Sequence, residues 1–371
     1  MEKINRILSQ EKLQTDSIEA LLITKPENVI YILGFKVESD IVILIPNKDL
    51  EGGEDKIQVY LNVLEYDQAK ENIEADAELS KMTEIVQIPP GKPKFVQRAL
   101  RKRKMITLGF EEEFISVKRY EEWKKKFKIP GLIGISEVLN KARVIKNEKE
   151  IERIRKAAQL GERGFKAIYE SIQPGMTEKE LAAIAEFEMR KAGSDGTSFD
   201  TIVASGTRSA FPHAKTEMKE VENGDLIIVD IGAKYKGYCS DMTRTFILGK
   251  IEAPKGDLVN FVNEGQQYTL DQVKPGIKAK DLDKLARDYY INHHKTWGSR
   301  FIHSLGHGVG IEVHEKPYLS PISGDELQPN MVVTIEPGLY IPELGGARTE
   351  DLIVVRPDGF EMLTPLEKYY Y

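Results

Sequence analysis

Two apolar runs in this chain each end on an acid: LIIVDIG stops at Asp230 and MVVTIEPG stops at Glu336. Runs this rich in Ile and Val, bounded by Gly, Pro and Asn, read as buried strands. A buried carboxylate without a partner is costly, so a fold that buries both runs must bring cations or protons to their ends. The surroundings of the two runs also echo each other. Pro174 and Gly175 precede Glu180 and Leu181, and Pro275 and Gly276 precede Asp281 and Leu282, each time at the head of a helical pattern. The first set lies 101 residues from the second and the two acids lie 106 apart, which points to two related α+β halves.

In the first half, Gly232 and Gly237 follow Asp230, and the chain returns through residues 238–247. This pattern predicts a hairpin with Asp230 and Asp241 on neighbouring strands. Two adjacent carboxylates repel unless a cation or proton intervenes, and a divalent metal relieves both the repulsion and the burial. The competing reading is local: Asp230 caps the turn and Asp241 pairs with Arg244.

In the second half, FIHSLGHGVGIEVHE gathers His303, His307 and His314, half of the six histidines in the chain, so the cluster is not background. Gly306, Gly308 and Gly310 disfavour a regular helix and let the backbone pass close to a ligand. They leave His307 room to reach an ion, provided its other ring nitrogen finds a partner. Farther on, Glu336 precedes Pro337 and Gly338, and Glu350 stands two residues after Arg348. If that stretch is extended, Arg348 and Glu350 face one way, and the guanidinium orients a carboxylate or balances the charge of the site. Four carboxylates and one histidine are too poor in nitrogen for the usual zinc site but suit manganese, magnesium and related ions. Five such ligands serve two ions if a carboxylate bridges, and a metal pair of that kind activates water against an amide carbonyl.

The first 140 or so residues carry no clustered reactive groups. Short strands are expected at residues 21–24, 29–33, 41–45, 57–60 and 106–109, with helices at 117–127 and 134–142. Together they form a small α/β domain that shapes substrate access or dimerises. A charged helix begins near Lys146 and runs to about Ser171, and Thr177 with Glu180 forms a capping-box pattern for a helix over residues 178–192.

The net charge of −6 argues against a general nucleic-acid surface. Two basic runs, residues 98–104 and 124–128, read as solvated helix faces. The single cysteine, Cys239, permits no intrachain disulfide and suits a reducing cytosol. The first twenty residues lack the apolar core of a secretory signal, and no stretch reaches the roughly 18 apolar residues of a membrane span. A soluble cytoplasmic protein is expected, with no nucleic-acid and no membrane partner.

Four segments in order, FDTIVASGTRSAFPHA, DIGAKYKGYCSDMTRTF, HSLGHGVGIEVHE and TIEPGLYIPELGGARTEDLIVV, resemble the motifs of the pita-bread (creatinase/aminopeptidase-like) metallopeptidases. The resemblance covers residues 146–364 and is to the branch of Xaa-Pro dipeptidases (prolidases) and Xaa-Pro aminopeptidases. It implies a pita-bread catalytic domain over residues 141–371 with pseudo-twofold related halves, preceded by a creatinase-like α/β domain over residues 1–140. It implies five metal ligands, Asp230, Asp241, His307, Glu336 and Glu350, holding two divalent ions, Mn or Co with Zn as a further possibility. His213 and His314 would hold substrate and stabilise the transition state, and His303 would line the cleft and contact substrate. Arg348, which matches the family's arginine two residues before the last ligand, would serve catalysis and bind substrate. Glu336 would carry the proton, and Phe211 is a candidate wall for the proline ring, which has no N–H to recognise.

The implied activity is Xaa-Pro dipeptidase, with Xaa-Pro aminopeptidase as the alternative because both share these ligands. Tyr318 stands where some prolidases place a basic residue, which weakens the dipeptidase reading. An inactive binding module on the same fold would be expected to have a broken ligand set. The resemblance also implies a homodimer and a proline-containing peptide as substrate.

Overall fold

The computed structural model describes residues 2–47, 56–89, 95–102, 105–127 and 131–371. The chain divides into two compact units, Met1–Arg143 and Val144–Tyr371.

The first unit is built on a mixed six-stranded sheet, ordered Thr83–Gln87, Ile57–Leu61, Val42–Pro46, Ala20–Ile23, Thr107–Phe110 and Gly131–Gly134. Its central strands are apolar on both faces, as expected where helices cover both sides. Residues 29–33, expected as a strand, belong instead to the helix Pro26–Leu33. A fully apolar run has no periodicity to separate strand from helix. Pro26 in the first turn and Gly34 as a left-handed C-cap (φ 83°) decide the matter here. The sequence reading also missed the parallel edge strands Thr83–Gln87 and Gly131–Gly134. Parts of the two basic runs lie on the helices Phe95–Lys102 and Val117–Phe127, while residues 103, 104 and 128 fall outside the described residues.

The second unit opens with the helix Glu148–Ser171, whose N-terminus is closed by a capping box between Asn147 and Glu150. The helix Glu178–Lys191 starts with the expected box, Thr177 with Glu180. The strands Ile202–Ser205, Leu226–Ile231 and Met242–Ile247 then form an antiparallel sheet over a core that includes Phe165, Leu181, Ile227, Val229 and Phe246. The second half repeats the plan with the helices Ala253–Leu270 and Ala279–His293 and the strands Val332–Ile335 and Asp351–Arg356, over a core that includes Val259, Leu282, Val333 and Ile353.

Equivalent hydrogen bonds tie the two halves to one pattern. Gly175 and Gly276 both have positive φ (94° and 85°), which glycine adopts without strain. Gly175 N donates to Val221 O at 2.9 Å, and Gly276 N donates to Leu327 O at 2.8 Å. Thr177 bridges Glu220 as Lys278 bridges Glu326. The halves meet where Glu350 N donates to Thr243 O at 3.0 Å, and that junction holds the acids singled out above. No helix among the described residues is long and apolar enough to cross a membrane.

Candidate metal centre

Asp230 lies near the end of the strand Leu226–Ile231, and Asp241 immediately precedes the strand Met242–Ile247. The register pairs Ile231 with Met242 and Asp230 with Thr243, so the two acids stand side by side at one end of the hairpin. His307 is the middle residue of the short strand Gly306–Gly308. Its flanking glycines are required by backbone contact: a Cβ on Gly306 would lie 2.1 Å from Thr334 O, and one on Gly308 would lie 2.3 Å from Lys316 O. Glu336 follows the strand Val332–Ile335 and is fixed by its amide, which donates to Leu305 O at 2.8 Å. Thr349 and Glu350 sit between the strands Gly345–Arg348 and Asp351–Arg356, which pair with different partners. The extended stretch expected here therefore breaks at Thr349, yet Arg348 and Glu350 both line the same cavity.

The five residues converge. Ligand atoms of His307, Glu336 and Glu350 lie within 4.8 Å of one another, as do those of Asp230, Asp241 and Glu350. His307 Nε2 is 3.2 Å from Glu336 Oε1 and 3.7 Å from Asp241 Oδ2. Its Nδ1 lies 3.1 Å from Gly308 O, and the charged ring donates from Nε2 to Glu336. Loss of that Nε2 proton, with Nδ1–H kept on Gly308 O, would leave Nε2 able to hold a metal.

Two carboxylates, Glu350 buried and Asp230 partly buried, are each held by one oxygen only. Arg348 Nη2 donates to Asp230 Oδ2 at 2.6 Å, and Thr243 Oγ1 donates to Glu350 Oε2 at 2.8 Å. Asp230 Oδ1 and Glu350 Oε1 are buried with no hydrogen-bond partner among the described residues. Burial, then the neighbouring carboxylates, push the Asp241 and Glu350 carboxyls well above the usual range. Burial raises Asp230 as well, against the pull of Arg348. On Glu336 burial acts in the same direction, but the hydrogen bond and charge of His307 outweigh it and hold the carboxyl down at about 2. An oxygen-rich cluster with two bare buried oxygens and mutually repelling acids fits a pair of divalent cations.

The cavity over this cluster has a volume of about 720 Å³ and is also lined by His213, His303, His314, Tyr318 and Tyr340. His314 packs edge-on against His307 with ring centroids 4.4 Å apart, and burial followed by the charge of His307 lowers its pKa. One of its ring nitrogens is also within 4.8 Å of the Asp241 and His307 ligand atoms, a proximity the motif reading did not anticipate. His303 lines the cavity with both ring nitrogens engaged, Nδ1 at 2.8 Å from Ser304 O and Nε2 at 2.9 Å from Tyr340 Oη. Arg348 Nη1 donates to Tyr340 Oη at 2.9 Å, so Tyr340 links His303 to the arginine that holds Asp230. Sequence reasoning passed over Tyr340, because nothing local marks a tyrosine in GLYI as a hydrogen-bond node.

One expectation changes, and one competing reading drops out. Phe211 is 62% exposed and is not among the residues lining the cavity; Phe199, Ile202, Tyr318 and Tyr340 supply its apolar wall. Arg244 does not pair with Asp241. Its guanidinium turns away to Asp351 Oδ1 at 2.6 Å and to the carbonyls of Glu350 and Leu366, each at 2.6 Å.

Residues 152–357 match the family model "Metallopeptidase family M24", and residues 6–145 match "Creatinase/Prolidase N-terminal domain". The chain is 38% identical over 368 residues to an Xaa-Pro dipeptidase of Pyrococcus horikoshii, covering 99% of this chain and 98% of that protein. Among solved structures it resembles an Xaa-Pro dipeptidase from Bacillus anthracis (TM-score 0.90, 36% identity, 100% of this chain and 99% of the other). It resembles an X-Pro aminopeptidase from Thermotoga maritima about as well (TM-score 0.87, 35% identity, 98% and 99%). The architecture is that of these structures: a small N-terminal α/β domain and a pita-bread C-terminal domain.

Proposed function

Because this chain belongs to metallopeptidase family M24, in the branch of the Xaa-Pro dipeptidases and X-Pro aminopeptidases, we propose that it hydrolyses the Xaa-Pro bond of dipeptides. The observation that carries the reading is the cluster of Asp230, Asp241, His307, Glu336 and Glu350 with two buried carboxylate oxygens left bare. These five residues would hold two divalent ions, Mn or Co, with Zn a further candidate. When bound, such a pair lowers the pKa of water and polarises the scissile carbonyl.

The protein's own groups complete the reaction. Glu336, ionised at neutral pH, accepts the proton of the attacking water and returns it to the proline nitrogen as the bond breaks. His314, at the cavity wall, donates to the carbonyl oxygen as negative charge develops there. His213 lines the same cavity and holds the substrate, and Arg348 keeps Asp230 in place. Tyr340 fixes His303 in the wall. The apolar side chains of Phe199, Ile202 and Tyr318 suit a proline ring, which offers no amide hydrogen to bind.

A second reading, aminopeptidase action on longer peptides, is favoured by Tyr318, a neutral side chain on the cavity wall where some prolidases place a basic residue. The test compares Ala-Pro, Met-Pro and a tripeptide with proline second, using metal-loaded protein. Fast cleavage of the tripeptide with weak dipeptide activity would replace the first reading with the second. We further propose a homodimer, checked by light scattering on the eluting peak of a sizing column.

A further inference from the structure

Residues 206–217 leave the strand Ile202–Ser205, make a short 3-10 turn over Gly206–Ala210, and carry Pro212, His213, Ala214, Lys215 and Thr216 to the cavity wall. Both ends of this loop are fastened to one side chain. Glu178, the first residue of the helix Glu178–Lys191, is 0% exposed. Its Oε1 accepts from Ser205 N at 2.9 Å and from Ser205 Oγ at 2.8 Å, where the loop begins. Its Oε2 accepts from Glu217 N at 3.0 Å, where the loop ends. Arg208 adds a third tie from within the loop, with Nε 3.4 Å from Glu178 Oε1 and Nη1 3.1 Å from Glu217 Oε2. At the tip, Arg348 Nη1 donates to Pro212 O at 3.3 Å, while Phe211 stands exposed.

The pseudo-symmetry of the fold separates a role in this loop from a role in general bracing. Glu178 N donates to Lys219 O at 3.0 Å, and Ala279 N donates to Asp325 O at 2.9 Å, so Ala279 is the counterpart of Glu178 in the second half. The same helix-to-strand junction therefore forms with a methyl group in place of the carboxylate. At this helix position a buried carboxylate stands in the half that carries the His213 loop, where backbone amides, a hydroxyl and a guanidinium compensate it. In the second half Asp283, one turn farther along its helix, accepts from Leu305 N at 3.1 Å instead.

We propose that Glu178 is a positioning residue that clasps both ends of the 206–217 loop and thereby sets His213 over the metal cluster. It touches neither substrate nor the cluster and acts through the loop. The inference rests on the proposed reading of the cavity as a peptide site, but its first test does not depend on that reading. Glu178→Gln keeps an acceptor for Ser205 and turns an NH₂ group toward Glu217 N, so it opens the loop at one end; Glu178→Ala opens both.

Hydrogen exchange of the amides in residues 206–217 should speed up at least tenfold in Glu178→Gln and further in Glu178→Ala. The Mn content and melting temperature of Glu178→Gln should stay near wild type. With Xaa-Pro dipeptide as substrate, KM should rise about tenfold in Glu178→Gln with a smaller change in kcat. Unchanged exchange in both variants overturns the clasp. Faster exchange with unchanged kinetics overturns the positioning of His213. Loss of metal and melting temperature in Glu178→Gln, together with normal exchange and kinetics in the milder Arg208→Gln, makes Glu178 a fold brace and overturns the proposal. If the wild-type protein cleaves no Xaa-Pro substrate, the peptide-site reading fails while the exchange arm still decides the clasp.

Discussion

Arg348 grips Asp230 by one oxygen only: Nη2 lies 2.6 Å from Oδ2, and Oδ1 is buried without a partner among the described residues. Each of the other two guanidinium nitrogens has a partner as well, since Nε faces Thr243 Oγ1 at 3.2 Å and Nη1 faces Tyr340 Oη at 2.9 Å. We propose that Arg348 aims the free oxygen of Asp230 rather than binding substrate, although it also lines the cavity. Arg348→Met should therefore weaken Mn binding by about 10–100-fold, the usual scale for a group that orients a metal ligand. Competition with a fluorescent chelator measures this directly. Unchanged affinity with a raised KM would instead place Arg348 on the substrate.

Asp241 is buried among carboxylates and lies 3.7 Å from His307 Nε2. Asp241→Asn removes one of the charges that a cation would neutralise. Metal content, read by elemental analysis, and peptidase activity should fall together. Full retention of both would remove Asp241 from the ligand set.

Metal removal should have a pH-dependent effect on stability. Asp241 and Glu350 have folded-state pKa values raised well above their ordinary ones by burial and by neighbouring acids. Stability from a raised carboxyl is fully present below the unfolded value, about 4, and is lost as pH rises through the folded value. Glu336, held down at about 2, loses its contribution only in strong acid and is constant across the neutral range. Bound cations cancel the repulsion among these acids, so the rise in melting temperature on adding Mn to chelator-treated protein should be larger at pH 7.5 than at pH 5. An equal rise at both would sink the charge argument.

Arg244 and Asp351 form a pair in which each side chain is 1% exposed. Removing one partner leaves a buried charge, and Arg244→Met should cost about 3–5 kcal/mol in denaturant unfolding. Arg244→Met combined with Asp351→Leu should be less damaging than Arg244→Met alone, because no charge is stranded. Arg244 also donates to the carbonyls of Glu350 and Leu366, so the single variant should lower metal affinity too.

Much of the architecture was legible where local chemistry is strong. The strand Leu226–Ile231, the helix Glu178–Lys191 with its capping box, and the two halves follow from apolar runs, caps and glycine turns. Residues 29–33 misled because an apolar helix one turn inside a proline looks like a buried strand until its caps are weighed. Phe211 misled because proximity in sequence to His213 says little about which way a loop tip faces.

The cluster that opened the sequence reading, acids at the ends of Ile- and Val-rich runs, was set by sequence alone in its residue types and in the repeat that delivers them. Its geometry was not. Thr243 reaches Glu350 across 107 residues and Arg348 reaches Asp230 across 118, and both contacts depend on how two packed halves register at their junction. Only that packing decides which oxygen of each carboxylate is held and which is left bare. It also turns Arg244 toward Asp351 instead of Asp241 and brings Tyr340 between His303 and Arg348. Periodicity and turn chemistry act over a few residues, whereas the aim of a buried polar group is fixed by neighbours that arrive from elsewhere in the chain.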